Sequence, residues 1–271
     1  MDRYVVIGNP VSHSLSPRIH ALFAKQCGES LEYATLLVPR DGFASEARRF
    51  FEAGGRGANV TLPFKLDALA FASNATDRAR LAGAANFLVS RSGTIEADNT
   101  DGAGLMADLT GNLRVAIDGA RILMVGAGGA ARGVIAPLLA QRPASLVIAN
   151  RSVDKARGLA AQFAGLGPIE AVALGAIPHD AFDIVLNATS TSVQGEPLRL
   201  PAHVLATRAL AYDMAYGPPA LKFLEHARAG GMRAADGLGM LVEQAAESFE
   251  LWRGKRPDTS PVLEALRAQL A

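Results

Sequence analysis

The chain has 271 residues, 49% of them hydrophobic, with 27 lysines and arginines against 26 aspartates and glutamates. That is enough apolar material for a substantial core and too little bias for a fibrous or disordered chain. A formal charge of +1 argues against a broad electrostatic grip on nucleic acid or an anionic membrane, so neither is expected as a partner.

The first third alternates short β-favouring runs with helical patterns. YVVIG at residues 4–8, YATLLV at 33–38 and GANVT at 57–61 read as successive strands of a layered α/β domain. Between the first two, Ser16 and Pro17 offer an N-cap and a proline at N1, and Ile19, Leu22 and Phe23 make one apolar stripe, which predicts a helix. Residues 42–53 place Phe43, Ala47 and Phe50 on one face of a second helix. After Pro63 come short helical pieces, then ANFLVS and TIEAD, two strands whose turn at residues 91–93 predicts a hairpin. A helix over residues 104–109 leads away, and the domain transition falls within residues 102–118.

The second domain reads ILMV, a helix from about Ala130, LVIAN, a helix beginning near Ser152, then FDIVLNA and ALAYDM. Strands alternating with helices specify a mainly parallel sheet with right-handed crossovers. Helices over 239–252 and 261–270 close the chain, with a break at Arg256 and Pro257. The division is 1–102, 103–236 and 237–271, the last segment crossing back to the first domain. Cys27 is the single cysteine, and no Cys/His cluster has metal-site spacing, so neither an internal disulfide nor a bound metal is expected. The longest apolar stretch is interrupted by Arg132 and falls short of the roughly 18 residues of a membrane span. No export signal is visible, and a cytoplasmic location is the expectation.

In RILMVGAGGAARG, Gly126, Gly128 and Ala131 satisfy G-x-G-x-x-A immediately after a predicted strand. Gly126 permits the tight turn, Gly128 removes a side chain where a diphosphate approaches backbone, and the helix N-terminus supplies partial positive charge. A ligand-free glycine turn is the alternative. The next strand ends at Asn150 and runs into Arg151, Ser152 and Lys155. An acidic residue there suits a free ribose, whereas a guanidinium suits a phosphorylated one, which favours NADP over NAD.

Ser14 and Ser16 follow a strand in GNPVSHSLSPRIH, where two hydroxyls orient a carboxylated ligand or, for Ser16, cap a helix. NVTLPFK sets Asn59, Thr61 and Lys65 at a strand end, and EADNTDG brings Asp101 to another. A Lys/Asp pair suits oxidation of a secondary alcohol, with a surface ion pair as the alternative. Gln244, on the helix over 239–252, can donate to and accept from an alcohol, and Tyr216 can point its phenol toward a ligand or anchor its loop.

Taken in order, GNPxxHSxSPxxH, NVTxPxK, GAxN, DNTDG, GAGGAA, NR[TS]xxKA, NATS and GxxMLxxQA span nearly the whole chain, which thereby resembles the NADP-dependent shikimate dehydrogenases. The resemblance implies an α/β substrate-binding domain, a Rossmann-type dinucleotide-binding domain and C-terminal helices packed on the first. It implies NADP(H) as cofactor and shikimate and 3-dehydroshikimate as substrates, the chain being a monomer or homodimer. It further implies that Ser14 and Ser16 hold the carboxylate of shikimate, that Thr61, Lys65, Asn86, Asp101 and Gln244 surround its hydroxyls, and that Lys65 and Asp101 form the catalytic pair. Gly126, Ala127, Gly128, Gly129 and Ala130 would take the diphosphate, Asn150, Arg151, Ser152 and Lys155 the adenosine phosphate, and Thr189, Met214 and Gly237 the rest of the cofactor. A mobile cleft between the domains would exclude water from the reaction. The chain departs from the family pattern at Phe87, where threonine is usual and a narrowed substrate pocket is the question raised. It departs again at Ser192, where glycine is frequent and the nearby loop is expected to be restricted. A quinate/shikimate dehydrogenase using NAD or both cofactors and a noncatalytic NADPH-binding module are the rival readings.

Overall fold

A computed structural model describes residues 1–192, 198–205 and 209–270. The chain divides into two compact units, Met1–Leu105 with Leu241–Ala271, and Met106–Met240. Sequence had put the divisions after residues 102 and 236.

The first unit begins with β1 (Asp2–Gly8), α1 (Ser16–Cys27), β2 (Leu31–Leu37), α2 (Phe43–Glu52), β3 (Gly55–Val60) and α3 (Lys65–Phe71). It continues through β4 (Asn74–Ala75), α4 (Asp77–Ala82), β5 (Phe87–Arg91), β6 (Thr94–Asp98) and α5 (Asp101–Met106). The six-stranded sheet has the order β2-β1-β3-β5-β6-β4, with β2, β1 and β3 parallel and β5 antiparallel to both its neighbours. The parallel half follows from helical crossovers between strands, and its apolar residues, such as Val5, Ile7, Ala58 and Val60, close one core with Phe43, Ala47 and Phe64. The expected hairpin forms between β5 and β6. Arg91 pairs with Thr94, and the two turn residues Ser92 and Gly93 both have positive φ, 50° and 81°, as the favoured two-residue turn requires.

Two expectations are corrected. Ser16 is not the N-cap of α1: that position is Leu15, with no side-chain cap bond, and Ser16 is already the first helical residue. Its N–H donates to Ser14 Oγ at 3.3 Å, so its own hydroxyl is left over from capping. The helix expected over 104–109 starts earlier, at Asp101, because Asn99 Oδ1 accepts the Asp101 N–H at 3.1 Å and nucleates the turn; it then runs into a π-helical segment, Ala107–Asn112.

The second unit contains β7 (Arg121–Val125), α6 (Gly129–Ala140), β8 (Ser145–Asn150), α7 (Val153–Phe163), β9 (Ile169–Ala173), β10 (Ile184–Asn187), α8 (Ala202–Leu205), β11 (Leu210–Asp213), α9 (Leu221–Ala229) and β12 (Arg233–Asp236). Its sheet is wholly parallel in the order β12-β11-β10-β7-β8-β9. Counted from β7 as the first strand, this is the doubly wound order 3-2-1-4-5-6, whose direction reverses between β7 and β10. Strands β9 and β12, absent from the sequence reading, lie at its two edges.

Helix α10 (Leu238–Arg253) then leads into α11 (Ser260–Leu270), and from Leu241 onward this segment belongs to the first unit. Trp252 Nε1 donates to the Leu88 carbonyl at 3.2 Å, and Arg253 reaches Asp2 at 2.6 Å and also Glu29. Gly57 leaves room for this: a Cβ there would overlap the Trp252 indole. No helix among the described residues is long and apolar enough to cross a membrane.

Candidate active site

In the first unit the polar motifs converge on the carboxyl ends of the parallel strands. The loops after β1 and β3 are tied together, Asn9 N–H donating to the Leu62 carbonyl and Thr61 N–H to that of Ile7, both at 2.9 Å. Gly8 is required here, since a Cβ would stand 2.5 Å from Thr61 Cγ2. Asn86 is wedged between two strands: its carbonyl accepts the Val60 N–H at 2.8 Å and its own N–H donates to the Asp98 carbonyl at 3.1 Å.

From that fixed backbone the Asn86 side chain organises its surroundings. Its Oδ1 accepts the Thr100 N–H at 2.7 Å, which turns Nδ2 toward Asp101 Oδ1 at 2.9 Å, Thr100 Oγ1 at 2.9 Å and Gln244 Oε1 at 3.2 Å. Lys65, the first residue of α3, completes the group with Nζ 2.5 Å from Asp101 Oδ2. Both partners are largely desolvated, with side-chain exposures of 12% for Lys65 and 5% for Asp101. Such a pair is weak evidence for stability but costly to break, because the surviving charge stays buried. The surface-ion-pair alternative therefore fails.

Next door, Asp98 is a structural carboxylate. Burial pushes its pKa up, but the Arg78 guanidinium at 2.6 and 2.8 Å, the Thr76 hydroxyl and the Asn99 N–H more than offset this and leave it below the usual range. Ser14 and Thr61 are half-buried, and Ser16 is buried. Tyr216 belongs to the second unit, half-buried in the loop after β11. Phe87 stacks on Trp252 with ring centroids 5.0 Å apart, so the substitution at this position is absorbed in aromatic packing against α10.

The second unit gathers its motif residues at the carboxyl ends of β7, β8, β10, β11 and β12, on either side of the reversal point. Gly126 has φ of 116°, and a Cβ there would stand 2.8 Å from the Ala188 carbonyl, so this turn admits only glycine. Gly128 is the N-cap of α6 and is exposed; a Cβ would meet nothing within 4 Å, leaving the helix N-terminus open to an anion. Ala127, Gly129 and Ala130 are half-buried beside it. Arg151, Ser152 and Lys155 are exposed around the half-buried Asn150, whose Nδ2 donates to the Ser152 carbonyl at 2.9 Å. No carboxylate among the described residues pairs with Arg151 or Lys155, whereas Asp154 pairs with Arg157. Two cations just beyond the second Rossmann strand, neither with a carboxylate partner among the described residues, and an open helix N-terminus after the first are the donor set for a phosphorylated dinucleotide.

Three family models match. Residues 6–88 match the shikimate dehydrogenase substrate binding domain, 108–195 the shikimate / quinate 5-dehydrogenase model and 237–267 the shikimate 5'-dehydrogenase C-terminal domain. A curated relative from Aromatoleum aromaticum, shikimate dehydrogenase (NADP(+)), is 55% identical over 274 residues, covering 100% of this chain and 98% of the relative. The chain belongs to the shikimate/quinate dehydrogenase family. Among solved structures, the shikimate 5-dehydrogenase of Thermus thermophilus in complex with NADP(H) and shikimate is similar at 31% identity and a TM-score of 0.85, with 99% of each chain covered. An Ael1 enzyme from Pseudomonas putida is similar at 46% identity and a TM-score of 0.90, with 98% of each chain covered.

In this member of the shikimate/quinate dehydrogenase family, sequence reasoning overlooked two buried polar residues. Ser248 Oγ accepts from Asn59 Nδ2 at 2.9 Å and lies 3.3 Å from Thr100 Oγ1; its position four residues after Gln244 on α10 was the available signal. Asp213, fully buried at the end of β11, had no motif to announce it.

Proposed function

We propose that the chain interconverts shikimate and 3-dehydroshikimate with NADP(H), and that Lys65 and Asp101 form its catalytic pair. The observation that carries this is the desolvated Lys65–Asp101 contact held by Asn86, with Lys65 and Asn86 inside the stretch that matches a shikimate dehydrogenase substrate binding domain.

When bound, the nicotinamide supplies the hydride acceptor for oxidation and the donor for reduction. The chain's own residues handle the proton and the geometry. In the oxidising direction Lys65 enters as the neutral amine, takes the proton of a ring hydroxyl at Nζ and becomes the ammonium; in reduction that ammonium returns the proton to the carbonyl oxygen and is left as the amine. Asp101 holds Nζ in place through Oδ2 and is itself fixed by Asn86 through Oδ1, so the two side chains act as one positioned unit. Gln244, with Nε2 on the Leu241 carbonyl and Oε1 facing Asn86, presents its amide to a further hydroxyl. Ser14 and Ser16 are assigned to the substrate carboxylate, and Thr61 and Asn86 to ring hydroxyls, with Tyr216 an added contact. Gly126 through Ala130 take the diphosphate, Asn150, Arg151, Ser152 and Lys155 the 2′-phosphate side, and Thr189, Met214 and Gly237 the remainder. A cytoplasmic site of action accords with the single cysteine.

Steady-state kinetics with shikimate and quinate, each with NADP and NAD, test the reading. Highest kcat/KM for shikimate with NADP is expected. Equal or better turnover of quinate with NAD overturns the specificity, and cofactor binding without turnover overturns the enzyme.

A further inference from the structure

Asp213 is a carboxylate with no cation partner among the described residues, fully buried in the second unit and outside the proposed chemistry. Its Oδ2 accepts from Ser192 Oγ at 2.7 Å and Asn187 Nδ2 at 3.0 Å, and its Oδ1 accepts the Ala215 N–H at 2.8 Å. Burial raises its pKa, and these three donors counter the shift.

The consequence runs through an amide. An asparagine side chain has one accepting and one donating end, and a carboxylate fixes which end faces it. With Nδ2 turned to Asp213, Asn187 presents Oδ1 to Thr189, accepting its N–H at 3.1 Å and its Oγ1 hydroxyl at 2.7 Å. The same centre holds the end of β11: Met214 N–H donates to the Asn187 carbonyl at 3.0 Å, and Gly237 N–H to the Ala215 carbonyl at 2.9 Å. Gly237 itself has no room for a Cβ beside the Met214 carbonyl. Thr189, Met214 and Gly237 therefore each lie one hydrogen bond from Asp213 or from a residue it orients.

We infer that Asp213 is a positioning residue for dinucleotide binding, acting through Asn187 and Ala215 to set the strand ends that receive the cofactor, and that Ser192 is its auxiliary donor. The inference rests on the proposed NADP(H) reading of this unit. It gives the Ser192 departure a role: the hydroxyl that replaces the usual glycine hydrogen is a third donor to a buried anion, and charge-assisted bonds of this kind are the stronger ones. An amide at position 213 would turn hydrogens toward the Asn187 amide or the Ala215 N–H, leaving a buried donor unpaired or flipping Asn187 away from Thr189.

The test measures NADPH binding by fluorescence and shikimate binding by calorimetry on purified wild type, Asp213→Asn, Ser192→Ala, Ser192→Thr and the double variant Asp213→Asn/Ser192→Ala, with a thermal melt of each. Asp213→Asn should weaken NADPH binding by roughly 10-fold or more, as expected for a buried charged partner removed, while shikimate affinity is unchanged. Ser192→Ala should weaken it by about 3-fold, Ser192→Thr should restore it, and the double variant should be no weaker than Asp213→Asn alone. Unchanged NADPH affinity, or equal losses for both ligands, overturns the positioning role. If Asp213→Asn does not fold, the Ser192 pair decides, and an unaffected Ser192→Ala overturns it. Absence of NADPH binding by the wild type would instead overturn the cofactor reading beneath it.

Discussion

Lys65 Nζ and Asp101 Oδ2 stand 2.5 Å apart, the lysine opening one helix and the aspartate another, with Asn86 bonded to the far oxygen of the carboxylate. The ammonium is thus held by an anion that cannot rotate away. Lys65→Met keeps the aliphatic stem but removes the proton carrier. A kcat loss of ~10²–10⁴-fold is expected with NADPH affinity intact, in the range of a positioned acid–base group. Steady-state rates beside a fluorescence titration check it, and unchanged turnover rejects the assignment.

Asn86→Asp asks what the neutral amide contributes. The new carboxylate can still accept the Thr100 N–H but meets Asp101 where an N–H donor stood 2.9 Å away. The lost hydrogen bond and the repulsion between like charges should move Asp101 and with it Lys65 Nζ, so kcat should fall by roughly 10-fold or more while NADPH affinity is unchanged. A kcat equal to that of the wild type would show that Asn86 does not position the pair.

Arg151 is exposed at the end of β8, with no carboxylate partner among the described residues. If it meets the 2′-phosphate, Arg151→Ala removes a charge-assisted bond and should raise KM for NADP by roughly 10-fold while leaving KM for NAD nearly unchanged. Equal effects on both cofactors would place the guanidinium elsewhere.

Where the sequence was legible, periodicity and local chemistry agreed. Strands β1, β7 and β8 carry apolar runs, VVI, ILMV and LVIA, that are buried throughout, and the Ser92-Gly93 turn states its own geometry. The edge strands β9 and β12 escaped because edges need only half a hydrophobic pattern: IEAVA and RAAD are short, alanine-rich and mostly only part-buried. In the site, Lys65, Asp101 and Asn86 sit in motifs at strand or helix ends, where side chains are free for chemistry, and Gln244 sits in a motif within α10. Ser16 was read as a cap because serine before proline carries that signal, but the helix began one residue early. Asp213 was invisible because its side-chain partners, Asn187 and Ser192, lie far back along the chain, which spacing does not encode, and Ser248 had only its helical spacing from Gln244 to mark it.

His20 offers a prediction about stability. It lies fully buried in α1, stacked on Tyr33 with ring centroids 4.1 Å apart, and against Trp252 at 5.4 Å. Burial drives its pKa from 6.5 to about 3. The folded protein therefore resists a proton that the unfolded chain accepts, so stability is complete above pH 6.5 and falls as the pH drops toward about 3. The loss from this one group is about 1.4 kcal/mol for each pH unit within that window. His20→Phe keeps the aromatic stack and abolishes the titration. Urea unfolding of both proteins across the window should show the wild type losing stability more steeply on acidification, and parallel curves would mean that the imidazole is protonated in the folded state as readily as in the unfolded one.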